Sequence, residues 1–578
     1  MPGKQASKHL RWRAPGAGGE GGEASFDIPA HEPPLAPRDE AVFLLHTGAE
    51  IEHALLVQYL YAAYSLKSPK EVPQEHAAKV RAWKKTLLGI AREEMGHLIT
   101  VQNLLRLIGG PLNLEREDYP FRSQLYPFPF RLERLSRESL AKYVVAEMPY
   151  FRDPPEELRQ IVTRAATAST MVVNQVGEIY ARVMQLLAPT GDNAAPRLND
   201  EDFVPGVRSL QAHYDNWGGE ASVLVPDLYD RAGALKAVAE LAEQGEGLED
   251  AQEVPSHFQR LLAIYREFPE AGEWEPTYAV PTDPNTGTSD GVIVSDQEGC
   301  ITHPDALRWA ELFNLRYRLL LSFLAHFLQT DGPVLDASAD FTGRGYLNRW
   351  TFDEMRHLSD IATKLAKLPR AAGGPNGEGS PERAGAPFEL PYTLNLPDRE
   401  QDRWRTHMDV LDACLKLEQA ISTSDREASD NLVGELLAED AQALAVARAM
   451  MRGDALPNPS TGFSKVVRLL ESAVRGFRVG AHHNFWRDVT RDEFVSLSVF
   501  GNALVARRED GSFDAAGSNL IKALRGEPPF DGAEADPSGD PSRFPRMPAE
   551  HPPMAPEAIE YIYRWIEAGC PERLEATS

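Results

Sequence analysis

From Asp39 onward the chain is dominated by long windows in which apolar positions recur at helical spacing or run almost unbroken. DEAVFLLHTGAEIEHALLVQYLYAAYSL is apolar on every face, which predicts a helix buried all round and ending near Lys67, before Ser68-Pro69. A second long helix is predicted from about Pro73 to Ile108, stopped by Gly109-Gly110-Pro111. The prolines and aromatics of PLNLEREDYPFRSQLYPFPF, within residues 111–135, predict an ordered loop packed on these helices. Further helices are predicted over Glu156–Leu187, about 230–246, the SHFQRLLAIYREF stretch, and about 305–328, 345–368, 398–423 and 426–452. Strand patterns are weak throughout and no period of 20–50 residues repeats, so the predicted class is all-α and not a solenoid.

Composition narrows the class of partner. The 578 residues are 42% apolar and 25% charged, close to a globular average, with a formal net charge of −26. That charge repels polyphosphate backbones and anionic lipid headgroups, and no basic stripe reverses it locally, so neither nucleic acid nor membrane is an expected partner. Cys300, Cys414 and Cys570 form no CxxC pair and are too few for a disulfide framework, which suits a reducing compartment. With no apolar signal-peptide core at the N-terminus and no 18-residue apolar window, the expected location is cytoplasmic.

The pattern divides the chain into a disordered tail over 1–37, a helical bundle over 38–270 and accessory helices over 271–369. A Gly/Pro-rich linker over 370–390, a helical hairpin region over 391–480 and a small helical appendage over 481–578 complete the expected organisation.

Charge inside apolar helices is the informative anomaly, because a buried carboxylate is kept only with a partner such as a cation. The first helix places Glu50, Glu52 and His53 in its apolar stretch, the second carries Glu93-Glu94-Met95-Gly96-His97, and Glu178 lies in VVNQVGEIY. Glu94 and His97, at i and i+3, project together and can bind one ion, whereas Glu93 is expected to face outward. Glu, Glu-x-x-His and Glu on successive buried helices make up most of the set by which four-helix bundles hold two iron or manganese ions. Two pairs could complete it: Glu246 with His257, which is the preferred reading, or Glu354-x-x-His357, whose plainer reading is a salt-bridged face that also holds Arg356. His53 reads as a hydrogen-bonded core histidine, and Tyr59, Tyr61 and Tyr64 as packing groups.

EIEHALLVQYLYAAYSL, IAREEMGHLITVQNLLRLIGG, VGEIY, QGEG followed by SHF, and the later LFNLRYRLLLSFL and MRHLSDIATKLAKLP resemble the ferritin-like domain of the iminophenyl-pyruvate dimer synthase family. The resemblance runs from about residue 40 to 370. It implies a ferritin-like four-helix bundle with additional helices, and Glu52, Glu94, His97, Glu178, Glu246 and His257 as metal ligands. It further implies iron, as a di-iron pair with manganese as the alternative, working with O₂ or peroxide on a small organic substrate. In that family imines of aromatic 2-oxo acids, supplied by a partner amino-acid oxidase, are coupled. The expected function is therefore a metal-dependent oxidoreductase of specialised metabolism, an imine dimer synthase being one form of it. Non-catalytic metal storage or a scaffold is the other reading, and self-association into a homo-oligomer is left open. The family's best-known members are considerably longer chains. Separately, SNLIKALRGEPPF and FPRMPAEHPPMAPEAIEYIYRWIEAGCPE resemble the closing half of a cytochrome c module. No CxxCH is present, so that resemblance implies a remnant without covalent haem, with Met547 a loop residue and Cys570 unable to substitute.

Overall fold

A computed structural model of the chain describes residues 33–572 apart from 124, 150, 152–153, 170–175, 190–196, 205–209, 214–215, 217–222, 224, 247–254, 271, 290–291, 294–298, 335–340, 372–381, 391–392, 425–431, 455–461, 475–483, 488, 500, 532–543 and 550–552. The described residues are mostly helical, with three two-residue antiparallel hairpins and a few isolated bridges as their sheet structure. The all-α expectation is met. The chain divides into two compact units, the first built from Met1–His213, Ser222–Asn314 and Ser359–Leu394, the second from Tyr214–Ala221, Leu315–Leu358 and Asn395–Ser578.

In the first unit, α1 (Pro37–Ser65) opens on Pro37 with Asp39 and Glu40 in its first turn, where a preset φ and negative charge both suit a helix start. From Ala41 to Ser65 nearly every residue is buried, as an apolar sequence without a polar face requires. α2 (Gln74–Leu107) packs along it. Its C-terminal carbonyls are held by Arg38, which donates from Nε to Ile108 O and from Nη2 to Gly109 O, each at 2.8 Å. α3 (Arg137–Ala146) begins with a capping box between Ser136 and Ser139, and Glu147 is its C-cap. This short helix was not anticipated: its window RESLAKYVVA follows the proline-rich segment and is too brief for a strong periodic signal.

α4 (Glu156–Ser169) and α5 (Gly177–Leu187) lie within the single helix predicted over 156–187, whose middle falls outside the described residues. α6 (Arg231–Glu246) and α7 (His257–Glu267) follow, the latter capped by Ser256 with Gln259, so that His257 is its first helical residue. α3 packs on α4 and α7, α5 on α1 and α6, and α2 meets α6 and α7. The predicted aromatic loop is ordered, with Phe121 and Phe130 exchanging backbone hydrogen bonds and Tyr126, Phe128 and Phe130 buried.

α8 (Pro304–Gln329) and α9 (Gly343–Leu365) each contribute to both units, and α10 (Glu400–Ser424) pairs with α11 (Leu432–Arg452) in the second. The second unit also contains α12 (Phe463–Ala473), α13 (Arg491–Ser496), α14 (Asn519–Arg525) and α15 (Pro556–Glu567) around a core that includes Phe463, Trp486, Phe494, Ile562, Trp565 and Cys570. Met547 donates its backbone N–H to Ala523 O, within the loop the sequence assigns it to. No helix among the described residues is long and apolar enough to cross a membrane.

Candidate metal centre

Five buried side chains converge inside the first unit: Glu52 from α1, Glu94 and His97 from α2, Glu147 at the end of α3, and His257 at the start of α7. They form two groups that share Glu94, one of Glu52, Glu94 and His97, the other of Glu94, Glu147 and His257. Within each group the donor atoms lie within 4.8 Å of one another. His97 Nδ1 is 3.0 Å from Glu94 Oε2 and 3.5 Å from Glu52 Oε2. His257 Nδ1 is 3.0 Å from Glu94 Oε1 and 3.7 Å from Glu147 Oε2. The two imidazole rings stack with centroids 5.3 Å apart.

Each imidazole is oriented by the nitrogen that faces away from the carboxylates. His97 Nε2 sits 2.8 Å from Gln244 Oε1, an acceptor that fixes the proton on Nε2 and leaves Nδ1 for an ion. His257 Nε2 sits 2.8 Å from Glu93 Oε2, and Arg260 holds that carboxylate in turn. Glu93 is thus only 3% exposed, and the expectation that it faces outward is corrected. One step along a helix turns a side chain by about 100°, and here that step meets α7 instead of water. Two tyrosines orient carboxylates: Tyr180 of α5 donates to Glu52 Oε1, and Tyr59 of α1 donates to Glu147 Oε1 at 2.6 Å.

Crowded acids and little water set the electrostatics. Burial, with the charge of Glu94 beside it, pushes Glu52 up to about 7. Burial works against the charge on His97, yet Glu94 and Glu52 outweigh it and carry the ring up to about 10. His257 is likewise raised, by Glu94, Glu147 and Glu93 against its own desolvation. Glu94 is desolvated too, but the facing His257 and His97 hold it below the ordinary carboxylate range. Without another cation, the cluster balances its acids by protonating both imidazoles.

Among the residues singled out from the sequence, Glu52, Glu94, His97 and His257 are brought together. Glu178 is half-buried in the first turn of α5 and is not in either group; Tyr180, two residues on, reaches the cluster through Glu52. Glu246 is the last residue of α6, and its side chain lies outside the described residues, while Gln244 of the same QGEG stretch contacts His97. Glu354 and His357 are in the second unit, in contact with Arg316, and are in neither group. Glu147, Glu93 and Gln244 were missed. Glu147 ends a helix too short to be legible, although a lone acid after the apolar run LAKYVVA was an available signal. His53 is a buried core residue, as read, its ring charge suppressed by burial and by Arg116. Tyr61 also packs as read, donating to Pro281 O.

Comparison with known proteins agrees with this architecture. Residues 45–266 match the ferritin-like family model. A dichlorochromopyrrolate synthase of Lentzea aerocolonigenes is 25% identical over 398 residues, covering 62% of this chain and 36% of the relative. A 2-imino-3-(indol-3-yl)propanoate dimerase of Chromobacterium violaceum is 24% identical over 349 residues, covering 53% of this chain and 31% of the relative. The chain spans about a third of the length of these curated relatives. The crystal structure of a ferritin-like protein from Caulobacter vibrioides aligns with 61% of this chain and 98% of that one, at 17% identity and a TM-score of 0.32, too low to carry any argument. Residues 45–266, which match that model, are the part of the chain that carries these buried carboxylates and imidazoles on packed helices.

Proposed function

We propose that the cluster holds two redox-active metal ions, iron or alternatively manganese, and that the chain oxidises a small substrate derived from an aromatic amino acid, with imine coupling as the reaction. The observation that carries this reading is the pair of donor groups joined through Glu94. The donors fit such ions. Glu94 Oε1 and His257 Nδ1 are buried 3.0 Å apart, close enough to be ligands of one ion. Hard carboxylates with one imidazole per group suit iron or manganese better than a thiolate-seeking metal. Bound there, the ions would supply the redox chemistry for which O₂ or peroxide is the oxidant.

The chain's own residues do the rest. Glu94 belongs to both donor groups, so Glu52, Glu94 and His97 would hold one ion and Glu94, Glu147 and His257 the other. Tyr180 and Tyr59 steer one oxygen of each outer carboxylate, and burial raises both phenols well above their usual range, so they remain donors at neutral pH. Gln244, and Glu93 with Arg260, hold the rings in register. The relatives' printed names, a chromopyrrolate synthase and an imine dimerase, favour coupling of two imines as the substrate chemistry.

The test is to incubate the iron-loaded full chain with tryptophan and an aromatic amino-acid oxidase and to follow coupled products by mass spectrometry. Product formation that requires both the chain and its metal is the expected result. Metal uptake without turnover of any aromatic imine would replace the enzyme reading with storage, and a protein that takes up no metal would remove it.

A further inference from the structure

The two donor groups of the first unit are alike in most respects. Each has two carboxylates and one imidazole, Glu94 belongs to both, and all five side chains are buried. A tyrosine donates to the outer acid of each, Tyr180 to Glu52 and Tyr59 to Glu147. Both rings turn Nδ1 to Glu94, at 3.0 Å in each case.

The likeness ends at the outer nitrogens. His97 Nε2 lies 2.8 Å from Oε1 of Gln244, a neutral and half-buried amide on α6. His257 Nε2 lies 2.8 Å from Oε2 of Glu93, a buried carboxylate on α2. Both contacts select the same tautomer, with the proton on Nε2 and the lone pair on Nδ1, so ring orientation does not separate the groups. The charge of the acceptor does. A hydrogen bond from an imidazole N–H to a carboxylate is roughly twice as strong as one to an amide, and it makes the opposite ring nitrogen the more basic donor. Arg260 shares the Glu93 carboxylate, donating from Nη1 to Oε1 at 3.2 Å and from Nη2 to Oε2, which moderates the effect while fixing the acid in place. Burial leaves the field of Glu93 on His257 little screened by water.

We infer that the two ion positions are unequal in affinity and that Glu93 sets the difference. The position among Glu94, Glu147 and His257 is the tighter one and fills first, and that among Glu52, Glu94 and His97 fills second. Glu93 and Gln244 are positioning residues that act through the imidazoles. The inference rests on the two-ion reading above and goes beyond it by ranking the two positions and naming what ranks them.

Repulsion between two ions that share Glu94 would by itself give two binding steps, so the positions have to be compared one at a time. The test is a Co²⁺ titration of the metal-free full chain against a competing chelator, followed by d–d absorption, in E52Q, which keeps the His257 position, and E147Q, which keeps the His97 position. E52Q should hold its ion about 10–100-fold more tightly than E147Q holds its own. Adding E93Q to E52Q gives His257 an amide partner and should weaken that ion by a similar factor. Adding Q244E to E147Q gives His97 a carboxylate partner and should tighten its ion. Lost packing alone could only weaken it, so this variant separates charge from structure, and it keeps the test in force should the E93Q protein not fold. Equal affinities in E52Q and E147Q, the opposite ranking, or a Q244E protein no tighter than its parent would each overturn the inference while uptake of two ions by the unsubstituted chain leaves the two-ion reading standing. An unsubstituted chain that takes up no ion would remove that reading and this inference with it.

Discussion

Glu94→Gln is the sharpest perturbation of the metal centre, because it keeps the shape of the one side chain common to both donor groups and removes its charge. Two consequences can be worked from the geometry. In the metal-free protein, Glu94 lies 3.0 Å from the inner nitrogen of each imidazole and is a principal reason that His97 is carried from 6.5 to about 10. A histidine raised in the folded state contributes stability that is complete below pH 6.5 and lost as pH rises through about 10. At pH 7 nearly all of it is present, on the order of 4 kcal/mol for His97. Glu52 supports the same ring from 3.5 Å, so the variant should lose at most ~4 kcal/mol from this source. In the metal-loaded protein, each of the two proposed ions would lose a ligand. Since loss of an outer-shell partner already costs roughly 10–100-fold in affinity, loss of the shared ligand should exceed ~100-fold at each ion. Elemental analysis after desalting, beside a Co²⁺ titration, should find about two ions per chain in the parent and essentially none in E94Q. Full metal content in a folded E94Q protein would refute the reasoning that Glu94 joins the two groups.

Other outcomes follow from the same structure. Glu147→Gln should lower the metal content by about one ion per chain, whereas Glu178→Gln should leave it unchanged; the reverse order would place the third helix's ligand where the sequence first suggested. Glu471 is buried and accepts from Trp486 at 2.6 Å and from Arg487, so its carboxyl titrates below the usual range despite burial. Its stabilising contribution is therefore present above about pH 4.5 and lost as acid carries it through its folded value. Denaturant unfolding across pH 3–7 should show that loss in the parent and a flatter profile, lower by about 2 kcal/mol at pH 7, in E471Q; an unchanged slope would exclude the pairing as its cause. Gly385 adopts φ +75°, and a Cβ there would stand 2.6 Å from Tyr61 Oη, whose hydroxyl is engaged with Pro281 O. G385A should therefore destabilise the first unit by more than ~1 kcal/mol in chemical denaturation, and an unaltered midpoint would show that the backbone relaxes freely.

What the amino-acid sequence determined by itself is the set of long helices and the first half of the site. Apolar runs such as that of Glu50–Leu66 can be satisfied only by burial, so both the helices and the unusual acids inside them are local facts. Glu94 and His97 share a face because of helical geometry alone, and their likeness to known ligand sets was legible for the same reason. Which further acids join them was decided by tertiary structure. Glu147 and Glu178 are comparable in the sequence, each an acid beside an apolar stretch, and only the packing of α3 against α7 carries Glu147 to His257. Glu93 and Glu94 meet opposite nitrogens of His257 on α7, and their tasks differ because Arg260 holds Glu93 while His97 and Glu52 stand beside Glu94. The Glu-x-x-His motifs of α2 and α9 are equally good as strings, yet one faces Glu52 and the other Arg316. A side chain's charge is written in the sequence, but the dielectric and the opposing charges that give it a role are fixed only when distant helices close around it.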